Sequence, residues 1–481
     1  MSQEVRNLEP TQLWNKFADL NAVPRPSKKE ERVIQFMVDF GKNLGLEVEV
    51  DPVQNVIIKK PATAGMENRK TIVMQSHLDM VHQKNNDTVF DFDKEGIKMK
   101  IEGDWVKAEG TTLGADNGLG VATIMAILES TDIPHPAIEA LFTIDEETGM
   151  TGALGLQGGY LDGEILLNLD TEDDDEFSIG CAGGVDLTAT RAYSLEEATG
   201  TALRISVKGL QGGHSGMQIH EGLGNANKLM NRILNATKNY MQIASVMGGG
   251  LRNAIPRESN AVIVTEDIEN FKTAFETARA EIITEFKSIE EDIDISVTSH
   301  EDVSKMMSKE DQTAFINAIY AAHNGVFRMS PDIEDLVETS NNVARVEAKD
   351  GKIEVLCLTR SSVESGKWNM ANNLTATFEL AGFSVKTGGS YPGWKPNRDS
   401  EILTVLENKY EELFNEKPHV MACHAGLECG ILGTNYPEMD MISFGPTIKG
   451  AHSPDERASI SSAKKYWKFT LEVLKNIPLK N

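Results

Sequence analysis

The sequence predicts an α/β fold that is interrupted by a large inserted α+β domain. Its 481 residues are too many for one ordinary hydrophobic core, so two domains are expected. Apolar strands alternate with helices at both ends of the chain, whereas the central part alternates strands with long amphipathic helices. We therefore expect a first domain built from residues 1–184 and 393–481, with a mixed sheet flanked by helices, and an inserted domain spanning 185–392.

The composition limits the partners and the compartment of the protein. With 47 basic and 73 acidic residues the net charge is −26, which argues against nucleic acid and anionic membranes as partners. No opening apolar run is typical of a signal peptide, and no apolar run reaches the roughly 18 residues of a membrane span. Four irregularly spaced cysteines do not favour a disulfide framework. These features predict a cytoplasmic protein.

The first part of the chain predicts one amphipathic helix and a series of strands. Ser27 and Glu30 have the spacing of a capping box, and apolar residues follow them at helical spacing. Short runs rich in apolar residues then predict strands and a hairpin. These strands are Val48–Val50, Val56–Ile58, Thr71–Asp79, Ile97–Ile101, Trp105–Ala108, Ala140–Ile144 and Ile165–Leu169.

Three of these strands end in residues that can bind metals. His77 and Asp79 end the strand Thr71–Asp79 and face the same side of it, because side chains alternate along a strand. A core histidine satisfied by a carboxylate is one interpretation, and a metal-bound imidazole held by Asp79 is the other. Asp145–Glu147 and Asp170 follow the other two strands, at the edge where open α/β sheets place their ligands.

Asp116 lies in a glycine-rich turn before Val121–Leu128, an apolar run that predicts a buried helix. A lone aspartate in such a turn usually caps it. Here, a carboxylate shared between two metal ions accounts for all the strand-end residues together. Adjacent Glu146 and Glu147 cannot both point the same way in an extended chain, so we expect one to bind metal and the other to face the substrate.

The remaining segments complete the predicted architecture. Residues 185–392 predict two α+β units laid end to end, each with its own sheet, and the α/β pattern resumes after them. There the chain predicts the helix Glu401–Phe414, a strand over Met439–Gly445, and a loop that carries His452 before the last helix, Trp467–Ile477.

The motifs resemble, in type and order, those of the dinuclear-zinc peptidases that include aminoacylase and carboxypeptidase G. Three further segments resemble the aminoacyl-histidine dipeptidase branch of that family, so the resemblance spans essentially the whole chain. The motifs of the whole family are His77-x-Asp79, Gly114–Gly118, Asp145–Gly149, Asp170 and Gly450–Ser453, and those of the branch are Val23–Ser27, Gly212–Gly216 and Cys423–Gly430.

The resemblance implies a metal-dependent dipeptidase that cleaves Xaa-His dipeptides and a broader set. It implies His77 and Asp170 on one metal, Glu147 and His452 on the other, and Asp116 as the bridge. A dinuclear cluster lowers the pKa of a bridging water to near neutrality and polarises a carbonyl oxygen. Zinc suits imidazole and carboxylate ligands, as do cobalt and manganese.

The resemblance also implies catalytic residues. Glu146 is the implied general base, and Asp79, which orients His77, is the second candidate catalytic residue.

Substrate-binding residues are implied as well, most of them in the insert, which we expect to act as a lid and dimerisation domain. Arg360 is the candidate for pairing with the substrate carboxylate. His214 and Asn253 are candidates for stabilising the oxyanion, and Gly426 lies in a loop expected to approach the substrate closely.

Several alternatives stay open at this point. Within the enzymes, the rivals are an aminoacylase-like deacylase and a tripeptide aminopeptidase. From another class, the rival is a non-catalytic homologue that binds a peptide, although such a protein needs no general base like Glu146. We expect a homodimer, in which His214 serves either its own metal centre or the partner's.

Overall fold

The chain forms two structural units in the computed structural model, which describes residues 3–85 and 87–480. The first unit contains the described residues up to 180, residues 396–422 and those from 427 onward. The second contains residues 181–395, together with the short segment 423–426. None of the described helices combines the length and apolar character needed to cross a membrane.

The amino-terminal part of the first unit supplies six strands of an eight-stranded sheet, and β22 (His419–Cys423) and β23 (Asp440–Ser443) from later in the chain complete it in the order β1-β2-β6-β3-β7-β23-β8-β22. Its helices are α1 (Gln3–Arg6), α2 (Thr11–Asn21), α3 (Glu31–Asn43), α4 (Ala115–Glu129), α5 (Glu146–Gly149) and α6 (Thr151–Gly155). Its strands are β1 (Glu47–Val50), β2 (Val56–Lys60), β3 (Ile72–His77), β4 (Met99–Glu102), β5 (Trp105–Ala108), β6 (Ile138–Thr143), β7 (Ile165–Asn168) and β8 (Glu176–Cys181).

The second unit contains one nine-stranded sheet rather than the two sheets predicted, because β13 pairs with β19 and joins the halves. Its four helices pack with this sheet around one continuous hydrophobic core. The nine strands of this sheet are β9 (Gly183–Ala192), β11 (Thr201–Lys208), β13 (Gln242–Gly249), β15 (Ser259–Thr265), β16 (Asp294–Ser299), β18 (Gly325–Met329), β19 (Val337–Lys349), β20 (Lys352–Ser361) and β21 (Ser384–Tyr391). Two separate pairs are formed by β10 (Leu195–Glu197) with β17 (Lys305–Met307) and by β12 (Gly213–His214) with β14 (Ala254–Ile255). The helices are α7 (Ala226–Thr237), α8 (Ile268–Phe286), α9 (Lys309–Ala321) and α10 (Glu364–Leu380).

The carboxyl-terminal segment completes the first unit. Strand β23 joins the eight-stranded sheet parallel to β7, and β24 and β25 extend the hairpin β4–β5 to a four-stranded sheet. The elements are α11 (Glu401–Phe414), β22 (His419–Cys423), α12 (Glu428–Asn435), β23 (Asp440–Ser443), β24 (Ile448–Lys449), β25 (Arg457–Ser459) and α13 (Ile460–Lys475). The predicted mixed α/β class is confirmed.

Three buried parallel strands position the candidate site. Strand β3 pairs in parallel with β6 on one side and with β7 on the other, with His77 opposite Thr143. Every residue of the three strands is buried, which explains their nearly continuous apolar character. Because parallel strands end at the same sheet edge, the residues that follow β3, β6 and β7 are brought together.

The predicted capping box at helix α3 is wrong. The helix begins at Glu31 and its amino terminus has no side-chain cap. Ser27 Oγ instead donates a 2.8 Å hydrogen bond to Asp79 Oδ2, and the Glu30 carboxylate accepts from the Lys28 N–H at 2.9 Å. Ser27 therefore binds Asp79 and Glu30 binds the backbone of Lys28, and neither side chain caps the helix.

Candidate metal centre

The predicted metal ligands converge at the carboxyl ends of the parallel strands. His77 ends β3, Glu147 lies in the one-turn helix α5 after β6, and Asp170 follows β7. Asp116 comes from the start of α4, and His452 from the loop between β24 and β25. Five residues that are far apart in the chain thus meet in one place.

Asp116 lies between the two histidines. Its Oδ1 is 3.2 Å from His77 Nε2, and its Oδ2 is 3.2 Å from His452 Nε2. Its backbone is not helical (φ −79°, ψ 111°), although it lies in the first turn of α4, and the peptide bond that follows it is cis. The two oxygens of one carboxylate therefore face two different imidazoles, as a bridging ligand requires.

Each histidine has a second carboxylate beside it. Asp170 Oδ1 is 3.7 Å from His77 Nε2, and Glu147 Oε2 is 3.0 Å from His452 Nε2. The ligand atoms of His77, Asp116 and Asp170 lie within 4.8 Å of one another, and so do those of Asp116, Glu147 and His452. The residues thus form two groups of three that share Asp116.

The chemistry of these groups fits two cations. Imidazole and carboxylate are both common ligands of divalent transition metals. The hydrogen bonds that His452 donates to the carboxylates of Asp116 and Glu147 raise its pKa to about 11, so these carboxylates favour positive charge between them. Glu147 Oε1 is buried without a hydrogen-bond partner among the described residues, as expected for an oxygen that binds a metal.

Asp79 is fully buried and orients the groups around it. Its Oδ1 is 3.3 Å from His77 Nδ1, the ring nitrogen that faces away from Asp116. The same oxygen accepts a 3.0 Å hydrogen bond from the Glu146 N–H. Asp79 therefore links the ring of His77 to the start of helix α5.

The prediction that Glu146 and Glu147 point in different directions rested on an extended chain, and this premise is wrong. Both residues lie in the first turn of α5, and each offers an oxygen within 4.8 Å of His77. They differ in environment instead. Burial, together with the charges of Glu428 and Glu147, raises the pKa of Glu146 to about 8, although the charge of His77 opposes this shift.

In the second unit, His214 is held in one tautomer. Its Nδ1 accepts hydrogen bonds from the N–H groups of Gly216 (3.3 Å) and Met217 (3.1 Å). Burial and the charge of Arg360 lower the pKa of His214, which keeps the ring neutral near pH 7. A neutral ring whose Nδ1 accepts must carry its hydrogen on Nε2, so His214 presents an N–H donor there.

Arg360 is buried rather than exposed, with only 5 % of its surface accessible. Its Nη1 donates a 2.9 Å hydrogen bond to Tyr391 Oη, while its Nε has no partner among the described residues. No described carboxylate forms an ion pair with it. A buried guanidinium with unused donors is suited to binding an anion.

The other two predicted substrate residues lie in loops of the second unit. Asn253 is exposed next to β14, the partner strand of β12, which carries His214. Its carbonyl accepts a 2.8 Å hydrogen bond from the Ser215 N–H. Gly426 ends the segment 423–426, in which the carbonyls of Cys423 and Ala425 each accept a 3.0 Å hydrogen bond from the Ala182 N–H.

Comparison with known proteins identifies the family. The model of peptidase family M20/M25/M40 matches residues 73–476. The chain belongs to this family. It is 44% identical to the cytosol non-specific dipeptidase of Escherichia coli (strain K12), over 99% of this chain and 100% of that protein. The predicted resemblance is therefore confirmed, and so is the predicted enzyme class, a peptidase.

Solved structures agree with this assignment. The crystal structure of aminoacylhistidine dipeptidase from Vibrio alginolyticus is 44% identical, with a TM-score of 0.94, over 100% of this chain and 99% of that chain. Aminopeptidase PepT from Bacillus cereus is only 15% identical, with a TM-score of 0.58 over 98% and 99% of the two chains, and indicates the fold alone.

Sequence reasoning missed polar residues that support the centre of this M20/M25/M40 peptidase. Glu428 is fully buried, and its Oε2 accepts from Gln75 Nε2 at 2.6 Å and from Thr143 Oγ1 at 2.7 Å. Asn117 Nδ2 donates to Asp170 Oδ1. Both residues lie inside motifs that carry the family resemblance, but no local pattern indicates which partner each one has.

Proposed function

We propose that this protein hydrolyses dipeptides, including those with a carboxyl-terminal histidine, at a centre of two divalent cations. The observation that carries the proposal is the convergence of two histidines and three carboxylates, with Asp116 between the histidines. The names of the two 44% identical relatives, a non-specific dipeptidase and an aminoacylhistidine dipeptidase, support the substrate class.

The ligands divide between the two cations according to their positions. His77 and Asp170 would hold one cation, Glu147 and His452 the other, and Asp116 both. When bound, the cations supply Lewis acidity, which activates a water and polarises the scissile carbonyl. Zinc is the metal we propose, and cobalt and manganese accept the same ligands.

Glu146 is the proposed general base and proton carrier. Burial raises the pKa of its carboxyl in the metal-free protein, and a buried carboxylate beside the proposed ligands can take up a proton and return it. The hydrogen bond from its N–H to Asp79 holds the start of α5 in place. Glu146 would therefore take a proton from the attacking water and deliver it to the leaving amine.

Residues of the second unit are proposed to recognise the substrate. Arg360, buried and without a carboxylate partner, would bind the free carboxylate of a dipeptide bidentately. His214 would donate its Nε2–H to the oxyanion that develops on the carbonyl, with Asn253 assisting. Gly426 would allow the backbone of its loop to approach the substrate. The second unit would in this way act as a lid.

A substrate panel tests the proposed function. The full-length protein, loaded with zinc, is incubated with free dipeptides that include Xaa-His, with tripeptides and with N-acetyl amino acids. We expect rapid cleavage of the dipeptides alone. Preferential cleavage of N-acetyl amino acids would instead identify a deacylase, preferential cleavage of tripeptides would identify a tripeptide aminopeptidase, and binding without cleavage would identify a non-catalytic homologue.

The proposed assembly is a cytoplasmic homodimer with a dimerisation role for the second unit. Mixing inactive His214→Ala and Glu146→Gln chains tests how the subunits cooperate. Recovered activity in mixed dimers would mean that His214 serves the partner's centre, and persistent inactivity would mean that it serves its own.

A further inference from the structure

We infer that Glu456 and Arg25 are positioning residues that hold the Asp116 turn in place before any cation binds. This inference rests on the proposed ligand set. Neither residue contacts a proposed ligand's metal-binding atom in the structure. Both instead bind the backbone of the turn that carries Asp116, Glu456 as a hydrogen-bond acceptor and Arg25 as a hydrogen-bond donor.

Glu456 binds four consecutive backbone N–H groups. Its Oε2 accepts from Leu113 (2.7 Å) and Gly114 (2.9 Å), and its Oε1 accepts from Ala115 (2.7 Å) and Asp116 (3.2 Å). Leu113 and Gly114 precede helix α4 and the backbone of Asp116 is not helical, so the four N–H groups belong to a turn, and successive N–H groups of a turn favour negative charge. Glu456 is only 2 % exposed, so this carboxylate is committed to the turn.

Glu456 also links two proposed ligands that come from distant parts of the chain. It lies four residues after His452, at the end of the loop between β24 and β25. Its own N–H donates to the Ser453 carbonyl at 3.0 Å, which closes this loop. The same side chain therefore fixes the base of the His452 loop against the backbone of Asp116.

Arg25 binds carbonyl groups on the other side of the turn. Its Nη2 donates to the Gly114 carbonyl at 2.5 Å, and its Nη1 donates to the carbonyls of Leu78 and Asp79 at 3.0 Å each. Leu78 directly follows His77, so one guanidinium ties the end of β3 to the Asp116 turn. The side chain is 1 % exposed, and the charge of Glu456 is among those that stabilise it.

Arg25 explains two glycines of the motif around Asp116. A Cβ atom at Gly114 would lie 2.6 Å from Arg25 Nη2, and one at Gly118 would lie 2.6 Å from the same nitrogen. Gly114 in addition has φ +69°, which favours glycine. The lack of a side chain at Gly114 and Gly118 thus leaves room for the Arg25 guanidinium, which binds the Asp116 turn.

Metal affinity in a matched pair of variants tests the inference. In Glu456→Gln, the amide nitrogen of the new side chain cannot accept, so at least two of the four N–H groups lose their partner. Glu139→Gln is the control, because Glu139 is also buried (4 % exposed) and accepts from two backbone N–H groups, at 2.8 and 3.0 Å, near the opposite end of its strand. Cobalt(II) is titrated calorimetrically into each metal-stripped, full-length protein.

We expect Glu456→Gln to bind cobalt about 10- to 100-fold more weakly than the wild type, and Glu139→Gln to bind it as tightly as the wild type. Equal affinities in the two variants would overturn the inference, even if the protein cleaves dipeptides. Conversely, a protein that shows the expected difference but cleaves no dipeptide would refute the proposed function alone.

Amide hydrogen exchange supplies a second measurement that needs no variant. In the metal-free wild-type protein, the N–H groups of residues 113–116 should exchange slowly, because Glu456 already binds them. Exchange as fast as that of an unstructured loop, with slow exchange only after cobalt is added, would show that the cations order the turn and would overturn the inference. This test applies even if Glu456→Gln does not fold.

Discussion

Single residues at the centre differ through their surroundings rather than their chemistry. Glu146 and Glu147 are adjacent and identical, and the N–H of each donates to the Asp79 carboxylate, at 3.0 and 3.4 Å, but Glu147 Oε2 lies in addition 3.0 Å from His452 Nε2. Burial raises the pKa of Glu146 to about 8. We therefore propose different tasks for the two carboxylates, metal binding for Glu147 and proton transfer for Glu146.

Replacing Glu146 by Gln should abolish turnover and spare metal binding. Gln is nearly isosteric but cannot accept a proton, and a general base contributes about 10²- to 10⁴-fold to the rate. We expect kcat for a free dipeptide to fall by that factor, while elemental analysis still finds two metal ions per chain. A near-normal kcat would refute the assignment, and loss of metal would make Glu146 a ligand.

Replacing Arg360 by Ala should raise KM for free dipeptides much more than for dipeptide amides, which lack the carboxylate. The physical reason is the loss of a bidentate ion pair. Arg345→Ala is the control, because Arg345 lies on the neighbouring strand and already pairs with Glu347. Equal effects of Arg360→Ala on dipeptides and their amides would contradict the proposed role.

Secondary-structure elements bring the proposed ligands to one edge of the sheet. Hydrogen bonds between buried side chains also connect these elements to one another. Glu428, the first residue of α12, accepts hydrogen bonds from Gln75 of β3 and Thr143 of β6. Gln75 lies two residues before His77 in β3, and Thr143 ends β6, the strand that precedes Glu146. One carboxylate therefore ties a helix to two of the strands that carry the site.

Replacing Glu428 by Ala should lower the free energy of unfolding by about 1–3 kcal/mol, because it leaves buried donors on Gln75 and Thr143 unsatisfied. Denaturant unfolding of the metal-free protein measures this difference without the cations. Glu438→Ala is the control, since Glu438 is exposed in the turn before β23. If both variants were as stable as the wild type, the hydrogen bonds of Glu428 would be irrelevant to stability.

At the scale of the whole molecule, the net charge is −26 and several carboxylates converge, so we expect bound cations to contribute to the stability of the fold. Three proposed ligands are acidic and lie close together, with Glu146 beside them. Without cations, the negative charges of this cluster repel one another. Bound cations stabilise the folded state and not the unfolded state, because the unfolded chain does not hold the ligands together.

Removal of metal by a chelator should therefore lower both activity and thermal stability, and zinc should restore both. At a free concentration of roughly 100 times Kd, one bound ion stabilises the fold by about 2.7 kcal/mol. Differential scanning calorimetry measures the shift in Tm. Asp116→Ala is the control, because a chain that lacks the bridge should show little shift; an equally large shift in that variant would contradict the bridging role.

Much of the fold and of the site could be predicted because the signals are local. Apolar runs identify buried parallel strands, and the polar residues after each are expected at the shared edge of the sheet. This reasoning singled out His77, Asp170 and the pair Glu146 and Glu147, and the resemblance assigned metal binding to Glu147. His452 has no such signal, since it lies in a loop, and it was assigned by the resemblance of its motif.

What the sequence by itself determined was the class of fold and the position of several candidate ligands at one edge of the sheet, because both follow from short-range patterns of apolar and polar side chains. Only the tertiary structure decided that most of the inserted strands join one sheet, that Ser27 donates a hydrogen bond to Asp79 and that Glu456 binds the Asp116 turn. Glu456 and Asp116 are 340 positions apart, so no periodicity or spacing links them. A contact of this kind arises only when the whole chain has folded.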